Sequence, residues 1–274
     1  MTEIYSIINN DFVLKNEASI LISDLSIQRG YGVFDYFRTI NNHPVFLEDH
    51  LDRLFYSASK MQMDKDLDRN QLTKLIQQII ERNNIPDSGI RITLTGGYSE
   101  DGYSLAKPNL LITQTAFAFN KEKFNTGIKL VTYEHQRQLP YVKTIDYLMA
   151  IRLQTFLKEN NADDVLYHNQ NKITECPRCN FFIVTERDEV LTPAKNVLKG
   201  ITRKKILDFS EFNVFETNIR MEDIEGAKEA FISSTTKNVL PVLEIDGKSV
   251  GSGRPGKITG AIYKKICELK EEFR

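Results

Sequence analysis

One lysine stands apart from the other basic residues of this chain. Lys143 lies in Leu139-Pro140-Tyr141-Val142-Lys143-Thr144-Ile145-Asp146-Tyr147, among apolar and hydrogen-bonding neighbours. An amine attacks a carbonyl only when deprotonated, and an apolar setting or a neighbouring cation lowers a lysine's pKa toward that state. Tyr141, Val142 and Ile145 offer such a setting, so Lys143 is the candidate nucleophile; the alternative is an ordinary solvated lysine ahead of a helix. Arg53 shares one flank of a helical stripe with His50, as an anion-binding fork or as a solvated charge. Gly200-Ile201-Thr202 precedes an expected helix, Arg203 to Phe209, whose first amides either receive a phosphate or are capped by Thr202. Ser233-Ser234-Thr235-Thr236 is a hydroxyl cluster at a strand end or an anion cradle.

The elements that must position these residues follow from periodicity. Short strands, Ile4 to Ile8 and Phe12 to Leu14, flank an Asn-Asn-Asp turn, and Gly30 and Gly32 bracket Tyr31 before an aromatic strand that closes in a hairpin at Asn41 to Pro44. Leu47, Leu51, Leu54, Phe55, Ala58 and Met61 make a helical stripe, and Leu72 to Ile80 repeats it. Strands Gly89 to Gly96 and Asn109 to Thr115 are joined by a long loop, Gly96 to Ser104, of the kind that lies over a site. Polar residues at 120–126 form the expected linker between an N-terminal domain, 1–119, and a C-terminal one, 127–274. The second half alternates strand and helix, with Tyr147 to Leu157 as an amphipathic helix that buries Leu148, Ile151, Leu153 and Phe156, and a last helix from Ile258 to Leu269. An α/β chain of two domains is expected.

With 274 residues, 41% of them hydrophobic, and a formal net charge of -1, the chain can bury one large core or two ordinary ones. No basic footprint argues for nucleic acid or an anionic membrane, and no apolar run approaches a membrane span. The opening Met1-Thr2-Glu3 carries no targeting pattern, so a cytoplasmic location is expected. Cys176-Pro177-Arg178-Cys179 lacks two further ligands at zinc spacing, because His43, His50, His135 and His168 are scattered, so no metal is expected. It also does not open a helix after a strand, as a thioredoxin-like pair would. Gly251-Ser252-Gly253-Arg254-Pro255-Gly256 matches G-x-G-x-x-G, but only one helix follows it, and Ile258 stands where a P-loop needs Ser or Thr. That stretch is expected to be a turn before a helix.

Six ordered marks together resemble the fold-type IV (class IV) pyridoxal-phosphate aminotransferases, the family of D-amino-acid transaminase, branched-chain aminotransferase and aminodeoxychorismate lyase. They are Arg-Gly-Tyr-Gly-Val-Phe-Asp at 29–35, His-Leu-Asp-Arg-Leu at 50–54 with Ser57-Ala58, the Lys143 segment, Thr174-Glu175 with Asn180-Phe181-Phe182, Leu-Lys-Gly-Ile-Thr-Arg at 198–203, and Ser-Thr-Thr at 234–236 followed by Pro241-Val242. The resemblance spans nearly the whole chain. It implies a two-domain α/β fold with mixed sheets, a smaller N-terminal and a larger C-terminal cofactor-binding domain, and pyridoxal 5'-phosphate as cofactor. Lys143 would form the internal aldimine and shuttle the substrate proton, and Glu175 would pair with the pyridinium nitrogen. Arg53, the Gly200, Ile201 and Thr202 backbone, the Thr202 hydroxyl and Thr235 would hold the phosphate. Tyr147 would meet the ring hydroxyl, Asn180 would belong to the cofactor site, and Thr236 would lie where substrate carboxylate or phosphate is met.

The implied reaction is ping-pong transamination between an amino acid and a 2-oxo acid, in a homodimer. The loop Ser99-Glu100-Asp101-Gly102-Tyr103 lacks the arginine and histidine of the familiar D-amino-acid transaminase pattern. The α-carboxylate therefore needs another cation, with Arg29 (across the dimer interface) and Arg91 as candidates, Arg38 behind them, and Tyr31 beside the substrate. The likeness favours D-amino acids; an L-branched-chain aminotransferase comes second and 4-amino-4-deoxychorismate lyase third. A noncatalytic thiol or nucleotide-binding protein would explain the cysteine or glycine motif but not Lys143, Glu175 and Arg53 together.

Overall fold

The computed structural model describes residues 3–120 and 122–273; positions 1, 2 and 274, and Lys121 of the expected linker, lie outside the described residues. The chain divides into two compact units, one holding residues up to Ala118 with Val142–Asp146 and Phe273, the other holding Phe119–Tyr141 and Tyr147–Glu272. The lysine-bearing segment thus belongs to the first unit, although its sequence neighbours belong to the second. Each unit is built on one sheet with helices, a mixed α/β fold.

The first unit contains β1 (Tyr5–Ile8), β2 (Asp11–Leu14), α1 (Leu25–Arg29), β3 (Gly32–Ile40), β4 (His43–Pro44), α2 (Leu47–Lys60), α3 (Arg69–Asn83), β5 (Ser88–Thr95) and β6 (Leu110–Ala116). Its strands form an antiparallel sheet in the order β2-β1-β6-β5-β3-β4. Alternation along β3 sends Val33, Asp35 and Phe37 to one face and Phe34, Tyr36 and Arg38 to the other. Val33 and Phe37 join Leu51, Leu54 and Ala58 of α2 and Leu72, Ile76 and Ile79 of α3 in the core. The stripe predicted for α2 is the face it buries, and Glu48 and Asp49 in its first turn and Lys60 in its last complement the helix dipole. Asp68 starts α3 by accepting the Gln71 amide at 2.7 Å.

The segment Val142–Asp146 lies along β3. Phe34 N–H donates to the Lys143 carbonyl at 2.9 Å, and Ile145 N–H to the Gly32 carbonyl at 3.0 Å. Gly32 permits this approach, since a Cβ there would fall 2.8 Å from the Leu94 carbonyl oxygen and 3.0 Å from Ile145 Cδ1.

The second unit runs through α4 (Lys123–Thr126), β7 (Ile128–Glu134), α5 (Leu148–Arg152), α6 (Gln154–Glu159), β8 (Asp164–Asn169), β9 (Lys172–Ile173), β10 (Glu175–Cys176), β11 (Cys179–Val184), β12 (Val190–Pro193), α7 (Ile201–Leu207), β13 (Val214–Thr217), α8 (Met221–Glu225), β14 (Glu229–Ser234), β15 (Asn238–Ile245), β16 (Lys248–Ser249) and α9 (Lys257–Glu271). Its mixed sheet follows β13-β12-β11-β14-β15-β7-β8-β9, with β10 on β11 and β16 on β15. The β12/β13, β15/β7 and β7/β8 pairs are parallel. Ile262 and Ile266 of α9 pack on Phe182, Phe231 and Val239, and the two phenylalanine rings stack at 4.6 Å.

Two expectations need correction. The helix predicted over Tyr147 to Leu157 is two short helices that meet at Leu153, and Leu148 and Ile151 are 76% and 64% exposed. The packed stripe is Met149, Leu153, Phe156 and Leu157, whose i, i+4 steps from 149 to 157 put Leu148 and Ile151 off its axis. The helix predicted from Arg203 begins at Ile201, so Thr202 sits inside its first turn and Gly200 is the cap residue. The expected linker contains the short helix α4.

Candidate active site

In the first unit, Lys143 is fixed by its backbone, since its N–H donates to Ser57 Oγ at 3.2 Å and its carbonyl accepts from Phe34. Its Nζ stands 4.6 Å from the centroid of the Phe34 ring, and the Arg91 guanidinium carbon stands 3.8 Å from the same centroid. Register explains the meeting: Arg91 pairs with Tyr36 and Thr93 with Phe34, so all four side chains share the sheet face turned away from α2. Arg91 Nε also donates to Thr93 Oγ1 at 3.3 Å. Arg38, on the same face, is buried and stacks on Phe117 at 4.2 Å.

Arg53 is not a solvated charge. Its Nε donates to Asp35 Oδ2 and its Nη2 to Asp35 Oδ1, both at 2.8 Å, and Asp35 is fully buried. His50 Nδ1 lies 2.7 Å from Asp35 Oδ1, and the Tyr36 amide donates to the same oxygen at 2.7 Å. Burial pushes the Asp35 pKa up, but the Arg53 charge and the hydrogen bonds from Arg53 and His50 prevail and hold it well below the usual carboxylate range. Burial pushes the His50 pKa down, against the pull of Asp35, so the imidazole is neutral at pH 7. Because an ionised carboxylate only accepts, the His50 hydrogen is on Nδ1.

The Tyr31 ring packs against the apolar core and its hydroxyl donates to the Met61 carbonyl at 2.7 Å, while Phe34 lies beside Lys143. Arg29 ends α1 exposed, with Nη1 donating to the Gln28 carbonyl at 3.0 Å. The loop after Ser99 is knit by Asp101, which accepts from the Tyr103 and Ser104 amides and from both the Ser99 and Ser104 hydroxyls.

In the second unit, Glu175 is buried, accepts the Leu198 amide at 2.9 Å on Oε2, and faces Arg137 Nη1 at 3.2 Å on Oε1. Asn180, its partner across the β10/β11 hairpin, donates to the Leu198 carbonyl at 2.7 Å and to Glu175 Oε2 at 3.4 Å. A Cβ on Gly200 would overlap Asn180 Oδ1, so only glycine lets the 198–200 loop close over that amide. No side chain caps α7, and Thr202 is buried in its first turn. Ser233, across from Asn180 on β14, keeps a buried hydroxyl with no hydrogen-bond partner among the described residues. Thr235 and Thr236 form the β14/β15 turn, and Tyr147 precedes α5.

Two motifs are explained without a ligand. The glycine-rich turn at 251–256 leads into α9, whose Ile258 and Thr259 amides and Thr259 hydroxyl all donate to the buried Glu229 carboxylate, at 3.1, 2.8 and 2.7 Å. Cys176 and Cys179 are free, buried partners across the hairpin, and burial pushes both thiol pKa values up, away from the reactive thiolate. Among the described residues no group of three or more His, Cys, Asp or Glu is arranged to hold a metal ion, and no helix is long and apolar enough to cross a membrane.

The sequence pattern of the family described as amino-transferase class IV matches residues 32–245, well over half of the 274-residue chain. The chain belongs to this class IV aminotransferase family. It is similar to a D-alanine aminotransferase of Staphylococcus haemolyticus, 29% identical over 268 residues that cover 94% of each chain. A D-alanine aminotransferase of Listeria monocytogenes is 28% identical over 273 residues, covering 96% of this chain and 94% of the relative. The solved branched-chain amino acid aminotransferase of Escherichia coli shares the fold, with a TM-score of 0.87 at 21% identity over 98% of this chain and 94% of that one.

The chain is therefore an enzyme, a class IV aminotransferase, and its cofactor is pyridoxal 5'-phosphate. The residues present fit that group. Taken unit by unit, an amine and a guanidinium in the first, and a buried carboxylate, an uncapped helix start and an orphaned buried hydroxyl in the second, match an aldehyde, a phosphate and a ring nitrogen in donor and acceptor type. Sequence reasoning missed Asp35, Arg137 and Phe34 as partners of Arg53, Glu175 and Lys143. Only the pairing of His50 with Arg53 on one helix flank hinted that an acid would face them.

Proposed function

We propose that the enzyme moves an amino group between a D-amino acid and a 2-oxo acid, with Lys143 as the catalytic amine. The observation that carries this reading is Phe34, which has the Lys143 amine and the Arg91 guanidinium against one ring. A cation beside the reacting amine is what an α-carboxylate needs, and the relatives named D-alanine aminotransferases support the choice of D-substrates. Arg91 binds that carboxylate, with Arg29 as a second cation from the partner of a homodimer. Bound pyridoxal 5'-phosphate supplies the electron sink that makes the substrate Cα–H acidic and stores the amino group between half-reactions.

The chain's own residues do the rest. Lys143 Nζ takes the proton from Cα of the amino acid and, in the second half-reaction, returns one to Cα of the 2-oxo acid. Glu175, held by Arg137, Asn180 and the Leu198 amide, would pair with the ring nitrogen. Arg53, the Ile201 and Thr202 amides, the Thr202 hydroxyl and Thr235 hold the phosphate, Tyr147 meets the ring hydroxyl, and Thr236 borders the substrate. A cytoplasmic location belongs to the same proposal.

The test is a half-reaction. Cofactor-loaded enzyme mixed separately with D-alanine, D-glutamate, L-leucine and L-glutamate is expected to lose its visible absorption with the D-substrates alone. Bleaching by L-leucine and L-glutamate would move the enzyme to the branched-chain group, and bleaching by none of the four would overturn transamination of these substrates. Light scattering of the eluting enzyme at twice 31.6 kDa checks the homodimer.

A further inference from the structure

A carboxylate inside an apolar layer carries a heavy desolvation cost, and replacing a buried ion pair by hydrocarbon is often neutral or stabilising. Asp35 stands between Val33 and Phe37, both in the core, with Leu51 and Leu54 in the same cluster. Folding alone gives β3 no reason to carry an acid at this position. What the acid does is visible in its partners. Both oxygens are spent on the Nε and Nη2 edge of one guanidinium, and His50 and the Tyr36 amide complete the set on Oδ1.

We propose that Asp35 is a positioning residue for the cofactor phosphate, acting through Arg53, with His50 as the brace that holds the carboxylate in the plane of the guanidinium. The inference rests on the reading of Arg53 as a phosphate-binding residue. An arginine side chain has four rotatable bonds and loses freedom when it binds an anion. Two parallel hydrogen bonds along one edge fix its plane and its direction before any ligand arrives, so that cost is met in folding and not in binding. His50 suits the brace because it is neutral: it adds a donor to Asp35 without a second positive charge that would compete with Arg53 for it. The i, i+3 spacing of His50 and Arg53 aims both at the same strand residue.

The experiment titrates cofactor-stripped protein with pyridoxal 5'-phosphate and, separately, with pyridoxal, which lacks the phosphate. Arg53→Ala tests the underlying reading and is expected to weaken the phosphorylated form by about 100-fold, with pyridoxal changed by less than about 3-fold. Asp35→Asn tests the inference and is expected to weaken the phosphorylated form by about 10-fold with pyridoxal again nearly unchanged, and to add nothing in the Asp35→Asn/Arg53→Ala double variant. If Arg53→Ala keeps the wild-type preference for the phosphorylated form, the reading of Arg53 falls and the inference with it. If Arg53→Ala loses that preference while Asp35→Asn keeps it, the inference alone is overturned.

Thermal melts of the stripped proteins accompany the titrations. Should Asp35→Asn be unfolded, Arg53→Lys replaces it, because a lysine keeps the charge but cannot be held along a two-nitrogen edge. A loss of about 10-fold in preference for the phosphorylated form then supports orientation by Asp35, and an unchanged preference overturns it.

Discussion

Among the described residues the second unit contains two buried glutamates, each beside a helix led by glycine, and they are used in opposite ways. Glu229 spends its carboxylate on the first amides and the Thr259 hydroxyl of α9, behind Gly256. Glu175 spends its own on Arg137, Asn180 and the Leu198 amide, and leaves α7, behind Gly200, without a side-chain cap. The glycine pattern in the sequence is more conspicuous at α9, yet its helix start is already occupied by an anion of the protein. A glycine-led helix binds an external anion only if no internal one has taken its amides first.

The largest expected effect separates the two acids by activity. Glu175→Gln should lower kcat/KM by at least about 100-fold, or about 2.7 kcal/mol of transition-state stabilisation, while the urea midpoint stays close to wild type. Equal losses of activity and stability would make Glu175 a structural acid like its counterpart. Next, Glu229→Ala should cost about 2–3 kcal/mol in urea unfolding, with the activity of the folded fraction within about twofold of wild type. A drop in cofactor affinity in that variant would break the distinction from the other side.

The glycines sharpen it further. A Cβ at Gly256 would overlap the Glu229 carboxyl carbon, and one at Gly200 would overlap Asn180 Oδ1. Each alanine substitution should cost about 1–3 kcal/mol of stability, but only Gly200→Ala should also weaken the cofactor, measured by titration of the stripped protein. The smallest effect concerns His50, beside the buried Asp35 of the first unit. Because burial lowers the His50 pKa, the unfolded chain binds more protons than the folded one as pH falls below about 6.5, and stability falls with it. Asp35, depressed, adds no loss there, since its contribution is lost only below the unfolded carboxylate value of about 3.9. Melting temperatures at pH 7.5 and 5.5 should therefore differ more for the wild type than for His50→Gln, and an equal difference would remove His50 as the cause.

Much of the candidate site was legible in the residue types. Lys143, Arg53 and the Gly200-Ile201-Thr202 turn stood out as candidates by residue type, each beside a plain solvated or capped alternative, Glu175 came with the family resemblance, and all of them lie within the matched residues 32–245. Helices α2, α3 and α9 were legible because their apolar spacing repeats within one turn of itself. The stretch after Tyr147 misled, because Leu148, Ile151, Leu153 and Phe156 all fit a helical face on spacing alone. The break at Leu153 and the packing of Met149 and Leu157 decided which side is buried.

By itself, then, the sequence determined the family of this enzyme and offered its candidate chemistry: an amine, an acid and a guanidinium in family order, set in elements whose periodicity is local. Only the tertiary structure decided who holds them. Asp35 meets Arg53 across 18 residues and Arg137 meets Glu175 across 38. Lys143 and Arg91 meet on Phe34 because a short segment lies along β3 and because β5 pairs with it in one register. Such pairings depend on which strand lies beside which and in what register. A one-residue slip turns every side chain of a strand to the opposite face, and no spacing within a single element records that choice.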